Sequence, residues 1–213
     1  MKSSPSSSFL NILLNIVIPV VILNKFNEQL GATWALVLAL AFPIGYGLYE
    51  LATEKKVNPI SVIGLVSILL TGAIGLLKLP PEWVAIKEAA VPLVIGVFVL
   101  FSLRTPFPVV RKLLYNEALF DKPKIEAQIK NVAQREAFDR IFVTATYWLA
   151  GSFLLSSILN YALAKYLVKS PAGTAAFNEE IGQMTAWSFP VIAVPSMLVM
   201  FFALWTILKG LKE

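Results

Sequence analysis

The sequence predicts an all-α protein, a polytopic transmembrane helical bundle with about six spans. Composition is the first reason: 57% of the 213 residues are hydrophobic and 15% are charged, whereas a soluble domain has about 45–50% apolar and roughly 25% charged residues. The positive mean hydropathy of +0.73 also indicates a membrane protein. The apolar residues also form continuous runs near the roughly 20 residues that a membrane-crossing helix needs. Strands of a membrane barrel would alternate instead.

Six apolar runs divide the chain, which we treat as a single membrane domain over residues 1–213. The first run, Phe9–Leu23 with an extension to Lys25, is interpreted as a retained span because no A-x-A-like cleavage site follows it. Short connections at 50–58 and 78–88 make spans two to four antiparallel neighbours. The predicted spans are 9–25, 33–49, 60–77, 84–103, 141–167 and 185–208.

The distribution of cations predicts the orientation. If the N-terminus is cytoplasmic, 13 of the 18 Lys and Arg residues fall in the cytoplasmic segments. An excess of Lys and Arg marks cytoplasmic loops. Both termini are therefore expected in the cytoplasm.

Residues 104–140 are predicted to be a cytoplasmic amphipathic connection between spans four and five. Two helices, within Pro106–Phe120 and Pro123–Arg140, would bury apolar faces in the inner leaflet and place cations near anionic lipid. A docking site for a partner protein is the alternative. Eight basic and five acidic residues are too mixed for a nucleic-acid patch, so no nucleic-acid partner is expected. The candidate contact residues are Arg104, Arg111 and Lys112.

The absence of His and Cys from the sequence excludes several chemistries. Zinc sites built on Cys or His, Ser-His-Asp triads, haem ligation by His or Cys and disulfides all need one of these residues. No catalytic residue, metal or cofactor is predicted. The chain is therefore not expected to be an enzyme.

Lys87 and Glu88 are the charged residues most in need of an explanation. They follow Trp83, which suits the membrane–water interface, by four or five residues, so they lie about 6–8 Å deeper along a helix. One interpretation places both in the outer headgroup layer, where lysine can extend to water. The other has Lys87 facing the bundle and binding an anionic group or a partner carboxylate.

Two further groups of residues are candidates for contacts inside the bundle. Amides in hydrocarbon need partners, so the span asparagines should either join helices by hydrogen bonds or contact a substrate. Small residues on one face of the third span predict close helix packing, with a narrow polar path as the alternative. The asparagines are Asn11, Asn15 and Asn160, and the packing face is Gly64, Ser67, Thr71 and Gly75.

Several of these motifs resemble the bacterial intracellular septation protein A family. The similar features are Trp83 and Lys87 at the start of the fourth span, the Arg104-Thr105-Pro106 exit followed by Arg111, and Asn160 late in the fifth span. The resemblance covers most of Phe9–Leu208. A longer N-terminal tip and a longer, more charged connection mark a divergent branch.

The resemblance implies a multi-pass protein of the bacterial cytoplasmic membrane that supports envelope maintenance or division. Its partners would be the lipid bilayer and envelope or division proteins. A homodimer is a separate expectation, which the small size of the chain suggests. The competing hypothesis is a small transporter or lipid-handling protein with a polar cavity near Lys87 and Asn160.

Overall fold

The computed structural model describes residues 12–53, 59–105, 108–114 and 131–210. All regular elements in these ranges are helical, which confirms the all-α prediction. Two π-helical turns, Leu13–Val17 and Phe189–Ala193, precede α1 and α9. The α-helices are α1 Ile18–Lys25, α2 Asn27–Leu30, α3 Ala32–Thr53, α4 Pro59–Leu76, α5 Glu82–Ser102, α6 Val109–Leu114, α7 Val132–Leu167, α8 Ala175–Ser188 and α9 Val194–Gly210.

Four helical stretches within the described ranges are long and apolar enough to cross a membrane. Most of their surface faces outwards: in the apolar window of α5, only 28% of the residues are buried. A helix that is apolar all round needs an apolar environment, so these stretches are compatible with a membrane protein. The four stretches are Ala32–Tyr49, Glu82–Ser102, Val132–Leu167 and Ala175–Thr206, and the shorter apolar helices are Leu13–Lys25 and Val62–Leu76.

Two helices begin well before the apolar runs that predicted them. Helix α7 begins at Val132 rather than near Ile141, because the side chain of Asn131 accepts a hydrogen bond from the Gln134 amide at 2.9 Å. Helix α8 begins at Ala175 because the Thr174 hydroxyl accepts from the Phe177 amide. Hydropathy therefore marks the apolar part of each helix, and the capping residues mark its start.

The chain divides into two compact units, of which the first contains residues up to Val91 and Leu159–Ile192. In this unit α1 packs against α3 and α8, and α3 packs against α4. The core consists of apolar side chains from these helices, from the first turns of α5, and from the end of α7 with the turn that follows it. Its largest fully buried members are Phe177, Leu36 and Val84.

Two connections of the first unit contact each other. Lys78 has a φ of 53°, and its aliphatic stem lies over Gly173, whose φ is 86°. The Glu180 carboxylate accepts hydrogen bonds from the amides of Lys169 and Ser170 and from the Ser170 hydroxyl. These contacts give the turn before α5 and the turn before α8 a defined conformation.

The second unit contains Pro92–Ile158 and Ala193–Glu213. Ser152 donates from Oγ to the Ser196 carbonyl at 2.8 Å and thereby joins α7 to α9. The predicted cytoplasmic helices are described only in part, as α6 and the start of α7, and residues 115–130 lie outside the described ranges. The core of the unit is Val99, Val110, Phe138, Phe142, Ala145 and Ala150.

Candidate functional site

Lys87 lies in the second turn of α5, on the face that the first unit buries. The helix starts at Glu82 after Pro80 and Pro81, whose carbonyls accept hydrogen bonds from the amides of Trp83 and Val84. Trp83 is 52% exposed, whereas the side chain of Lys87 is only 8% exposed. Lys87 therefore points into the unit, which is the second of the two orientations considered from the sequence.

The ammonium group of Lys87 is surrounded by oxygen atoms. Its Nζ donates to Thr71 Oγ1 at 2.7 Å, to Ser67 Oγ at 3.2 Å and to the Ser67 carbonyl at 3.4 Å. It also forms an ion pair with Glu88 Oε1 at 2.6 Å. A lysine ammonium has three N–H donors, and these oxygens are sufficient to satisfy all of them.

This arrangement joins α4 to α5 and leaves the Lys87–Glu88 pair with no net charge. Ser67 and Thr71, predicted as packing residues, are instead the polar ligands of a buried cation. An internally paired charge avoids most of the penalty of an isolated charge in an apolar environment. The chemistry of the site is therefore suited to holding two helices in register.

The predicted packing face of α4 is used unevenly. A methyl group built on Gly75 would overlap Leu36 of α3 and lie 3.4 Å from Phe177, so this glycine permits a close approach. Gly64 is exposed and has no heavy atom within 4 Å of the same position. Of these two glycines, only Gly75 therefore lies at a close approach between α4 and α3.

The asparagines predicted within the spans lie on different helical elements. Asn15 lies in the π-helical turn before α1 and Asn160 lies in α7, and both are half-buried. Each takes part in an interaction within the chain. Asn11 lies outside the described residues.

A second polar cluster in the first unit was not predicted from the sequence. Asn178 of α8 is fully buried and donates from Nδ2 to Asn27 Oδ1 at 2.8 Å and to the Ala32 carbonyl at 2.7 Å. Asn27 donates in turn to the carbonyls of Leu23 and Ala175. The available signal was the position of Asn178 on the same helical face as Phe177, Ile181 and Met184, where a polar side chain needs a buried partner.

The three predicted contact residues for the inner leaflet or a partner protein, which belong to the second unit, differ from one another in their surroundings. Arg111 forms an ion pair with Asp139 at 2.8 Å, and its guanidinium lies 5.8 Å from the ring centre of Phe138 and 5.9 Å from that of Phe142. Arg104 is exposed in the turn after α5. Lys112 lies in α6, and its side chain is outside the described part of the chain.

The described residues contain no group of three or more His, Cys, Asp or Glu side chains that could hold a metal ion. Comparison with known proteins finds no matching family model, curated protein or solved structure. The resemblance to septation protein A therefore stays a hypothesis that depends on the sequence motifs.

Proposed function

We propose that the chain is a six-span protein of the bacterial cytoplasmic membrane, with both termini in the cytoplasm. It supports envelope maintenance or division through contacts with other proteins or with lipid, as its resemblance to septation protein A implies. The role is structural rather than enzymatic.

The closed geometry at Lys87 is the observation that carries this proposal. Its nitrogen lies within hydrogen-bonding distance of oxygens of Ser67, Thr71 and Glu88, all from its own chain. Transporters use charges inside the membrane to line substrate or ion pathways. A lysine that is already paired and bonded favours a fixed helix contact over a transport site.

The span count depends on the two shorter apolar helices. Val62–Leu76 belongs to α4, whose 18 residues rise about 27 Å, close to the thickness of the hydrocarbon core. Leu13–Lys25 rises about 20 Å, and a shorter span is accommodated by local thinning of the bilayer. Both helices can therefore cross together with the four longer stretches.

The function is tested by deleting the gene in its host and by isolating the tagged chain from membranes in mild detergent. We expect deletion to change cell length or resistance to osmotic lysis. We also expect envelope-synthesis or division proteins to be enriched over those isolated with an unrelated six-span protein. Lys165→Met, an exposed lysine in α7, is the matched control for Lys87→Met in complementation.

A normal envelope after deletion, together with no enrichment of such proteins, would contradict the proposal. Solute flux in proteoliposomes that disappears in Lys87→Met but not in Lys165→Met would establish the transporter hypothesis instead.

A further inference from the structure

The second unit has an apolar groove between α5 and α7. The groove has a volume of about 170 Å³. Leu93, Gly96 and Leu100 line one wall, and Tyr147, Gly151 and Leu154 line the other. The residues on each wall are three to four positions apart, so each set follows one helical face. The groove therefore runs along the helices for about 10 Å, roughly two thirds of the thickness of one leaflet.

The large side chains of the groove are mainly apolar and exposed. Leu93 is 44% exposed, Leu154 is 51% exposed and Tyr147 is 61% exposed. Gly151 has no heavy atom within 4 Å of the position that a Cβ would occupy, so the wall is open at this point. Such a surface is suited to a flexible hydrocarbon chain.

Positive charge lies beyond one end of the groove. Arg104 is exposed and follows Leu100 by one turn of chain. Arg140 precedes Tyr147 by seven residues, which places it two turns away on the same face of α7. Tyr147 forms the end of its wall that is nearest to this arginine, and its ring has an apolar body and a polar tip, as interfacial tyrosines do.

The contacts of the second unit bring these two arginines to the same end. Ser102 accepts a hydrogen bond from the Val109 amide at 3.1 Å, and Arg111 pairs with Asp139. The turn that carries Arg104 is thereby held near the start of α7, where Arg140 lies.

Two acidic residues also lie at this end. Asp139 is paired with Arg111, and Glu136 lies 3.9 Å from Arg140. The side chains of Glu136 and Arg140 are 64% and 82% exposed. Because an exposed ion pair of this length contributes little, it competes weakly with a phosphate group.

We propose that this groove binds one acyl chain of an anionic phospholipid, whose phosphate contacts Arg104 and Arg140. The proposal depends on the membrane insertion proposed above, in which this end of the groove faces the cytoplasmic leaflet. The negative surface potential of that leaflet comes from anionic lipids. The apolar wall accounts for the chain of the lipid, and the two guanidinium groups account for its charge.

Native mass spectrometry of the full chain in mild detergent tests the proposal. Phosphatidylglycerol and phosphatidylcholine with identical acyl chains are the probes. We expect the wild type to retain phosphatidylglycerol in preference to phosphatidylcholine. The double variant Arg104→Gln/Arg140→Gln should lose this preference by about fivefold for each arginine. Gly151→Phe, which fills the groove, should lose both lipids.

Two control variants match these changes. Gly45→Phe adds the same ring at another glycine with no heavy atom within 4 Å of its Cβ position. Lys165→Gln removes a charge near the other end of α7. Both should bind lipid as the wild type does.

Wild-type retention of phosphatidylglycerol by Gly151→Phe and by the double arginine variant would overturn the proposal. The double variant changes exposed side chains, so it provides a test even if Gly151→Phe fails to fold. A shift from dimer to monomer in Gly151→Phe with unchanged lipid retention would also overturn it, because a second copy would then occupy the groove. If the wild type fails to retain phosphatidylglycerol but gene deletion still changes cell length or resistance to osmotic lysis, the lipid proposal is wrong and the proposed envelope function stands.

Discussion

The buried ammonium of Lys87 depends on oxygens of Ser67, Thr71 and Glu88. We expect Lys87→Met to lower the free energy of unfolding by about 3 kcal/mol, because it leaves Glu88 without its cation. This is the lower end of the range for breaking a buried pair, since Glu88 retains 23% exposure. Unfolding by denaturing detergent, followed by circular dichroism, measures the change.

Two controls accompany this prediction. Lys87→Met/Glu88→Gln should recover most of the loss, because it removes both charges. Lys165→Met alters an exposed lysine and should change stability little. Equal stabilities for Lys87→Met and Lys165→Met would show that the buried pair contributes nothing.

Asn178 offers a test in which the shape of the side chain hardly changes. Asn178→Asp replaces a donor of two hydrogen bonds with an oxygen that faces Asn27 Oδ1 and the Ala32 carbonyl. We expect a loss of about 2–3 kcal/mol, since buried acceptors would then oppose one another. Gln183→Glu makes the same chemical change at an exposed position of α8 and should be nearly neutral in thermal unfolding.

The sequence predicted part of this residue-level chemistry. Its continuous apolar runs placed Lys87 inside a helix, and the cost of a charge there left two interpretations, a partner inside the bundle or a position in the outer headgroup layer. The partners on α4 could not be assigned, because Ser67 and Thr71 also fit a packing face and only the register of two helices decides their role. Asn178 was missed because it lies before the apolar run that defined the sixth span.

Helix α4 approaches α3 closely at one end, which makes its glycines unequal. We expect Gly75→Ala to lower the free energy of unfolding by about 1–2 kcal/mol, because the added methyl overlaps the buried Leu36. Gly64→Ala should be neutral or slightly stabilising, since alanine favours helix and the position is open. Thermal unfolding measures both variants, and an equal loss of stability in Gly75→Ala and Gly64→Ala would contradict the close approach at Gly75.

Helix α6 is short and depends on the turn that precedes it. The hydroxyl of Ser102, a residue only 4% exposed, donates to the Val99 carbonyl and accepts from the Val109 amide. We expect Ser102→Ala to cost about 1–2 kcal/mol and to increase hydrogen exchange in Val109–Leu114. Thr206→Ala, which removes an exposed hydroxyl from α9, is the control. Unchanged exchange in α6 would contradict this anchoring role.

At the scale of elements, the sequence predicted the existence of the helices better than their ends. Hydropathy does not assign Val132–Arg140 to α7, because that stretch is polar. It was predicted to be helical, but within a separate amphipathic helix rather than as the first turns of the fifth span. Hydropathy also misses the first turns of α8 after Thr174.

The whole chain can be tested for topology without background, because it contains no cysteine. With six spans, Lys2→Cys and Lys212→Cys should resist an impermeant maleimide applied from outside. Lys169→Cys should react with it. Lys56→Cys and Lys78→Cys should differ in accessibility, since α4 separates them. Equal labelling at positions 56 and 78 would show that α4 does not cross, and external labelling at 2 and 212 would reverse the orientation.

The pairing of Lys87 with Glu88 has a consequence for the energised cell. On the proposed topology, a lone ammonium would respond to the transmembrane voltage with about 2.3 kcal/mol per 100 mV for a full crossing. A pair separated by 2.6 Å has no net charge, and its dipole spans less than a tenth of the hydrocarbon core. Its largest response is therefore about 0.2 kcal/mol per 100 mV, well below thermal energy. The contact between α4 and α5 should persist whether the membrane is polarised or depolarised.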